Sequence, residues 1–134
     1  MKIGFDYWET LTDLSILKLA KTLNTSWNEL YIISAVGPFR IKTQQAEIEK
    51  FVETYKLNVK RIEIIPFKSP HEVPELKLEI CNQYGIELFI ENRLDVCRFL
   101  IDNGIPTLLK VKKTDHSFDY QNPNNSRYPN NFRR

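Results

Sequence analysis

No apolar stretch in this chain approaches the roughly 18 residues that a membrane span needs. The chain enters a strand-like run at once, so no secretory leader is expected. A membrane partner is therefore not expected, and the reducing cytoplasm is the expected location. Net charge is equally sparse: 19 Lys and Arg against 17 Asp and Glu leave +2, too little to argue for a nucleic acid or a lipid surface. Only Cys81 and Cys97 are available as thiols, and their spacing fits no CxxC metal pair. Both fall among apolar residues of predicted helices, where a buried reduced thiol is expected. No internal repeat is visible. At 134 residues the chain fits one domain of the usual ~100–200 residues, long enough to bury a core without disulfides.

What is present is an ordered alternation. Lys2–Phe5 is a short apolar run ending at Asp6. Leu14, Leu17, Ala20 and Leu23 predict a helix over Asp13–Leu23. Glu29–Ile33 predicts a second strand that stops at Ser34, ahead of the breakers Gly37 and Pro38. Ile48, Phe51, Val52 and Tyr55 fall at i, i+3, i+4 and i+7, so Thr43–Lys56 reads as a helix with Thr43 as N-cap. Val59–Ile65 alternates with one charged face and fits a strand at a sheet edge. Beyond the proline-bearing loop 66–74, Pro74 opens a helix to Tyr84, stopped by Gly85. A strand over Glu87–Ile90, a helix over Leu94–Asn103 ahead of Gly104, and a strand over Pro106–Val111 complete the set.

Five strands alternating strictly with helices predict an α/β three-layer sandwich. Its centre is a five-stranded parallel, Rossmann-like sheet with right-handed crossovers. Ligands of open parallel sheets sit outside the carboxyl strand ends. Asp6, Ser34, the loop from Pro66, Glu91 and the segment after Val111 are therefore the residues to interrogate. The domain is expected over residues 1–113, with a tail over 114–134. Asp115–Arg134 holds five Asn, two Pro, three Arg and four Phe or Tyr without a period. It reads either as a wrapped or disordered tail, or as an arm that stacks aromatics and pairs arginines with nucleic-acid phosphates.

The strand ends carry a set of residues. Lys2-Ile-Gly-Phe-Asp6-Tyr-Trp-Glu-Thr10 is an apolar strand, then an Asp, then a Thr four residues on. Leu30-Tyr-Ile-Ile-Ser34 is an apolar strand closing on a hydroxyl. Lys77 lies near the start of the helix before the fourth strand, and Glu87-Leu-Phe-Ile-Glu91-Asn92 precedes Gly104-Ile-Pro-Thr. No single piece is specific, but four in order at element termini are much stronger. Over residues 1–111 they resemble the haloacid dehalogenase (HAD) superfamily, in an uncapped form. The connections leave no room for the cap domain that many relatives insert. The resemblance, together with the alternation, implies strand order 5-4-1-2-3, with Asp6 between Ser34 and Glu91.

The resemblance also implies roles. Asp6 would be the nucleophile that forms an acyl phosphate. Ser34 and Lys77, with Lys68 as the alternative lysine, would neutralise phosphoryl oxygens, and Thr10 would orient the loop after the first strand. Mg2+ would be held by Asp6, the Trp8 backbone carbonyl and Glu91, with Asn92 reaching it through water and Asp95 adding an acid one turn on. One departure matters most. The family's second acid, two residues after the nucleophile, is Trp8 here, and indole moves no proton. That loss removes roughly 10²–10⁴-fold of rate. Glu9 is expected to point away from the site. Glu91-Asn92 replaces an acidic pair, so magnesium binding should weaken.

Three functions follow. One is a weak, magnesium-dependent phosphate-ester hydrolase acting on a phosphorylated substrate, macromolecular ones included, with Glu9 or a tail residue as an unconventional proton donor. Another is a degenerate HAD domain that binds a phosphorylated ligand or a protein without turnover. The third is a nucleic-acid-processing accessory module that uses the tail.

Overall fold

Along strand β2 (Glu29–Val36), Leu30 and Ile32 join one buried cluster while Tyr31 and Ile33 join another. This is the two-residue period of an extended chain. A strand that is apolar on both faces needs cover on both, which dictates three layers. A computed structural model describes residues 1–111 and has that architecture. Beside β2 lie β1 (Lys2–Phe5), β3 (Val59–Pro66), β4 (Leu88–Glu91) and β5 (Thr107–Leu109), all parallel, in the spatial order β3-β2-β1-β4-β5. Read from the other edge this is the expected order, with β3 at an edge.

Helices α1 (Leu14–Leu23) and α2 (Ile41–Thr54) cover one face, burying Ala20 and Ile48 against Ile3, Phe5, Leu30 and Ile32. Helices α3 (Val73–Tyr84) and α4 (Leu94–Asp102) cover the other through Val73, Cys81, Val96 and Leu100. Both cysteines are buried, as expected, and burial pushes the Cys81 thiol up to about 12 and the Cys97 thiol up to about 11. Among the described residues no cap domain interrupts the alternation, and no helix is long and apolar enough to cross a membrane. The expectations for residues 114–134, and the domain limit at residue 113, fall outside the described residues.

Several boundaries shift by a few residues, β5 spanning only Thr107–Leu109 of the expected Pro106–Val111, and two of the shifts have a clear physical reason. Helix α2 starts at Ile41 rather than at a Thr43 cap. Pro38–Arg40 already forms a tight helical turn after Gly37, and the chain runs straight on into the helix. Strand β2 does not stop at Ser34, because its ladder with β3 continues through Ser34↔Ile64 to Val36↔Pro66.

One glycine is fixed by close approach. A Cβ on Gly4 would stand 2.6 Å from Cδ1 of the Phe89 ring, whereas one on Gly37 would meet nothing within 4 Å. Gly4→Ala should therefore lose roughly 1–3 kcal/mol to overpacking, and Gly37→Ala should stay within about 0.5 kcal/mol. Paired urea titrations compare them directly. Equal midpoints for the two variants would contradict the close packing of β1 beneath Phe89.

Candidate functional site

Phe5 pairs with Ile32 on one side and Ile90 on the other. The next residue, Asp6, thus leaves the sheet at its carboxyl edge between β2 and β4, with its amide still bonded to the Ile90 carbonyl at 2.9 Å. A wide turn follows, closed by Leu11 N to Asp6 O at 3.2 Å and Thr12 N to Tyr7 O at 3.3 Å. Tyr7, Thr10 and Leu11 are buried and anchor it. Trp8 and Glu9 leave helical geometry, and Glu9 has φ of 59°. Non-glycine residues enter that left-handed region rarely, and such strain clusters at functional sites. The turn leaves Trp8 61% exposed, while Asp6, two residues back, is only 7% exposed.

Lys77 reaches that carboxylate from within α3. Its Nζ donates to Asp6 Oδ1 at 2.8 Å and to Glu91 Oε1 at 2.6 Å. The other Asp6 oxygen accepts from Thr10 Oγ1 at 3.1 Å. The other Glu91 oxygen accepts from the Asn92 and Arg93 amides, both at 3.1 Å. Every carboxylate oxygen of the pair thus has a donor, which is what allows Glu91 to be fully buried. Burial alone would push Lys77 down, but Asp6 and Glu91 outweigh it and raise its pKa above the ordinary value. Burial raises Glu91 despite the opposing pull of Lys77. Lys68 is exposed and lies outside the cleft.

Asp6, Ser34, Lys77 and Glu91 share a cleft of about 430 Å³ with Trp8, Glu9, Phe67, Asn92 and Arg93. Three placements correct the sequence reading. Ser34 lies within β2, and its hydroxyl donates to Gln44 Oε1 on α2, so its proton is committed to the protein. Glu9 faces the cleft rather than away from it, because the left-handed turn swings it round, and Asn92 Nδ2 lies 3.4 Å from its Oε1. Asp95 does not line the cleft. It takes the Arg93 guanidinium at 3.0 and 2.6 Å, and that hydrogen-bonded pairing holds its carboxyl below the ordinary range.

Gln44 and Arg93 escape a motif reading. Gln44 precedes Ile48 and Phe51 at helical spacing, so a polar residue on the buried helix face was its available signal. Arg93 caps α4 and also donates to the Pro70 carbonyl at 3.2 Å. Nothing local in the sequence foretold that long-range bond.

Asp6 and Glu91 share the single Lys77 ammonium, and Arg93 is already paired with Asp95. The cleft therefore has surplus negative charge and oxygen donors, the chemistry a hard divalent cation takes. Among the described residues no group of three or more His, Cys, Asp or Glu could hold a metal. Magnesium usually takes one or two carboxylates and completes its shell with water and phosphate. The donor set fits on those terms, and weakly, since each Asp6 and Glu91 oxygen already accepts a hydrogen bond. A larger cavity of about 620 Å³ lies at Asp13, Lys18 and Lys110. Its Asp13–Lys110 ion pair, at 3.3 Å, pins α1 to the end of β5, and its wall offers no comparable cluster.

No protein-family model and no curated protein matches the chain. Solved structures do match in fold. A chain of a Pnkp1/Rnl/Hen1 complex and one of the Pnkp1/Rnl/Hen1 RNA repair complex each superpose with a TM-score of 0.64, at 12% and 11% identity over 82% of this chain. This chain spans 46% and 42% of those two. A universal stress protein in complex with cAMP superposes with a TM-score of 0.56 at 13% identity, over 84% of this chain and 98% of that one.

Proposed function

We propose that the protein is a HAD-type phosphohydrolase that turns over weakly and with magnesium. The observation that carries this is the Lys77 bridge. A single buried ammonium holds Asp6, at the carboxyl edge of the sheet, against the fully buried Glu91. In this reading Asp6 attacks phosphorus and Lys77 offsets the charge on the phosphoryl oxygens. Thr10 fixes the Asp6 rotamer, and Ser34 lines the wall where an oxygen would rest. Asp6, Glu91, the Trp8 carbonyl and, through water, Asn92 would hold magnesium. The ion would supply charge stabilisation at phosphorus. Two similar folds come from an RNA repair complex and a cAMP complex, so phosphorylated ligands, macromolecular ones included, are the first to test.

Trp8 favours a second reading, a domain that binds such ligands without turnover. Magnesium-dependent phosphate release from an aryl phosphate, lost in Asp6→Asn, decides between them. An inactive parent leaves the binding domain.

The missing acid has its own expected signature. An acidic phenol leaves as a stable anion, while an alkoxide needs a proton in the transition state. The parent should show a steep dependence of rate on leaving-group pKa. Trp8→Asp should flatten it and raise alkyl-phosphate turnover at least about tenfold, below the full general-acid contribution. Ordinary alkyl-phosphate rates in the parent would move the acid role to Glu9, which faces the same cleft.

A further inference from the structure

We infer that the cleft takes a nucleoside polyphosphate, with the base against Trp8 and the terminal phosphate at Asp6 and Lys77. This rests on the phosphohydrolase reading for its chemistry, but its binding half stands alone.

The cleft is graded in depth. Asp6, Lys77 and Glu91 form a buried, charged floor, while the Trp8 indole stands at the rim, on a turn anchored by Tyr7, Thr10 and Leu11. A large apolar side chain held out in solvent by a hydrogen-bonded turn is a platform, since the same turn buries Tyr7, Thr10 and Leu11. The volume of about 430 Å³ falls in the roughly 300–1,000 Å³ range of small-molecule sites. In the phosphohydrolase reading the floor would take a phosphate together with its magnesium, the exposed indole at the rim offers a flat π face, and a ligand that reaches both needs a spacer between them. A nucleoside phosphate supplies the phosphate, a flat base and the sugar as spacer.

Position 8 then favours an anhydride. An Asp6 oxygen bonds to the terminal phosphorus, and the anhydride P–O bond breaks with its electrons on the departing nucleoside phosphate, which needs no proton. Water then adds to that phosphorus. Inorganic phosphate leaves, the Asp6 carboxylate is restored, and one proton goes to solvent. The same chemistry is available from a free nucleotide or from the triphosphate end of an RNA.

Trp8 and Trp27 are the chain's two tryptophans, so Trp27→Phe leaves one fluorophore, in the cleft. With magnesium present, ATP should quench it and bind about 5- to 150-fold more tightly than tripolyphosphate, the advantage of one stacked base. Trp8→Ala, followed by calorimetry, should erase that advantage and leave tripolyphosphate binding unchanged, and Trp8→Phe should restore part of it. Equal affinity for ATP and tripolyphosphate, or an ATP affinity untouched by Trp8→Ala, would overturn the assignment. A 5′-triphosphorylated oligonucleotide that binds at least tenfold more tightly than ATP identifies an RNA end as the source, and parity identifies the free nucleotide. Base-dependent binding without phosphate release keeps the ligand and removes the hydrolase. Phosphate release without base preference does the reverse.

Discussion

Lys77→Met should be the most destabilising single change in the site, costing about 3–5 kcal/mol, because it leaves two buried carboxylates facing one another without their cation. Methionine matches the length of the lysine stem, so lost packing contributes little and the deficit reads the charge. Urea unfolding at pH 7 should give a lower midpoint with an unchanged slope. The pH dependence separates charge from packing. Uncompensated carboxylates have folded pKa values raised above their unfolded ones, so the folded variant binds more protons and gains stability as pH falls. The deficit should narrow toward the ordinary carboxylate range near pH ~4. The parent should lose stability at the opposite end. With Lys77 raised, its contribution is fully present below the ordinary lysine value of ~10.4 and is lost as pH rises through the higher folded one. A Lys77→Met deficit that is constant from pH 4 to 8 would mean that packing dominates.

On the proposed phosphohydrolase reading, Asp6→Asn should do the reverse: keep the fold and abolish turnover. Removing a nucleophile typically costs about 10⁴-fold or more in kcat, and the amide oxygen does not form the acyl phosphate. Stability should not follow. Two carboxylates sharing one ammonium become one carboxylate with one ammonium, which relieves the surplus charge. The amide can still accept from Lys77 and donate to Thr10 Oγ1. Unfolding free energy should stay within about 1 kcal/mol of the parent or exceed it. Circular dichroism melting and an aryl phosphate assay on the same preparation check both halves. Residual turnover within tenfold of the parent would remove Asp6 from the nucleophile role.

The sheet was largely legible in the sequence because its signals are local. Alternating apolar strands, helical spacing around Ile48 and Leu100, and Gly85 and Gly104 as stops each depend on a few neighbouring residues. The boundaries that moved depended on partners. Strand β2 runs two residues past Ser34 because β3 pairs with it that far, which nothing inside Glu29–Ile33 encodes. The site shows the same division. Asp6, Thr10, Lys77 and Glu91 stand at positions marked by element ends, and the fold brings them within hydrogen-bond reach. Gln44 and Arg93 act through residues 10 and 23 positions away. Glu9 was misread because a left-handed backbone at a glutamate follows from the buried anchors on either side of it, not from its own preference.

The register of β1 between β2 and β4 bears on how the molecule comes into being. Ile3 pairs with Leu30 close by in sequence, but also with Leu88, and the Lys2 amide bonds the Glu87 side chain across 85 positions. Closing so long a loop sacrifices chain entropy before any contact repays it, which makes such pairings slow. Asp6 meets Glu91 and Lys77 only through that closure. A ribosome-bound chain that has emerged as far as Pro66 has β1, β2 and β3 to assemble, yet lacks Lys77 and Glu91. The charged cluster at Asp6 is complete only once α3 and β4 have followed, and β5 adds no residue to it.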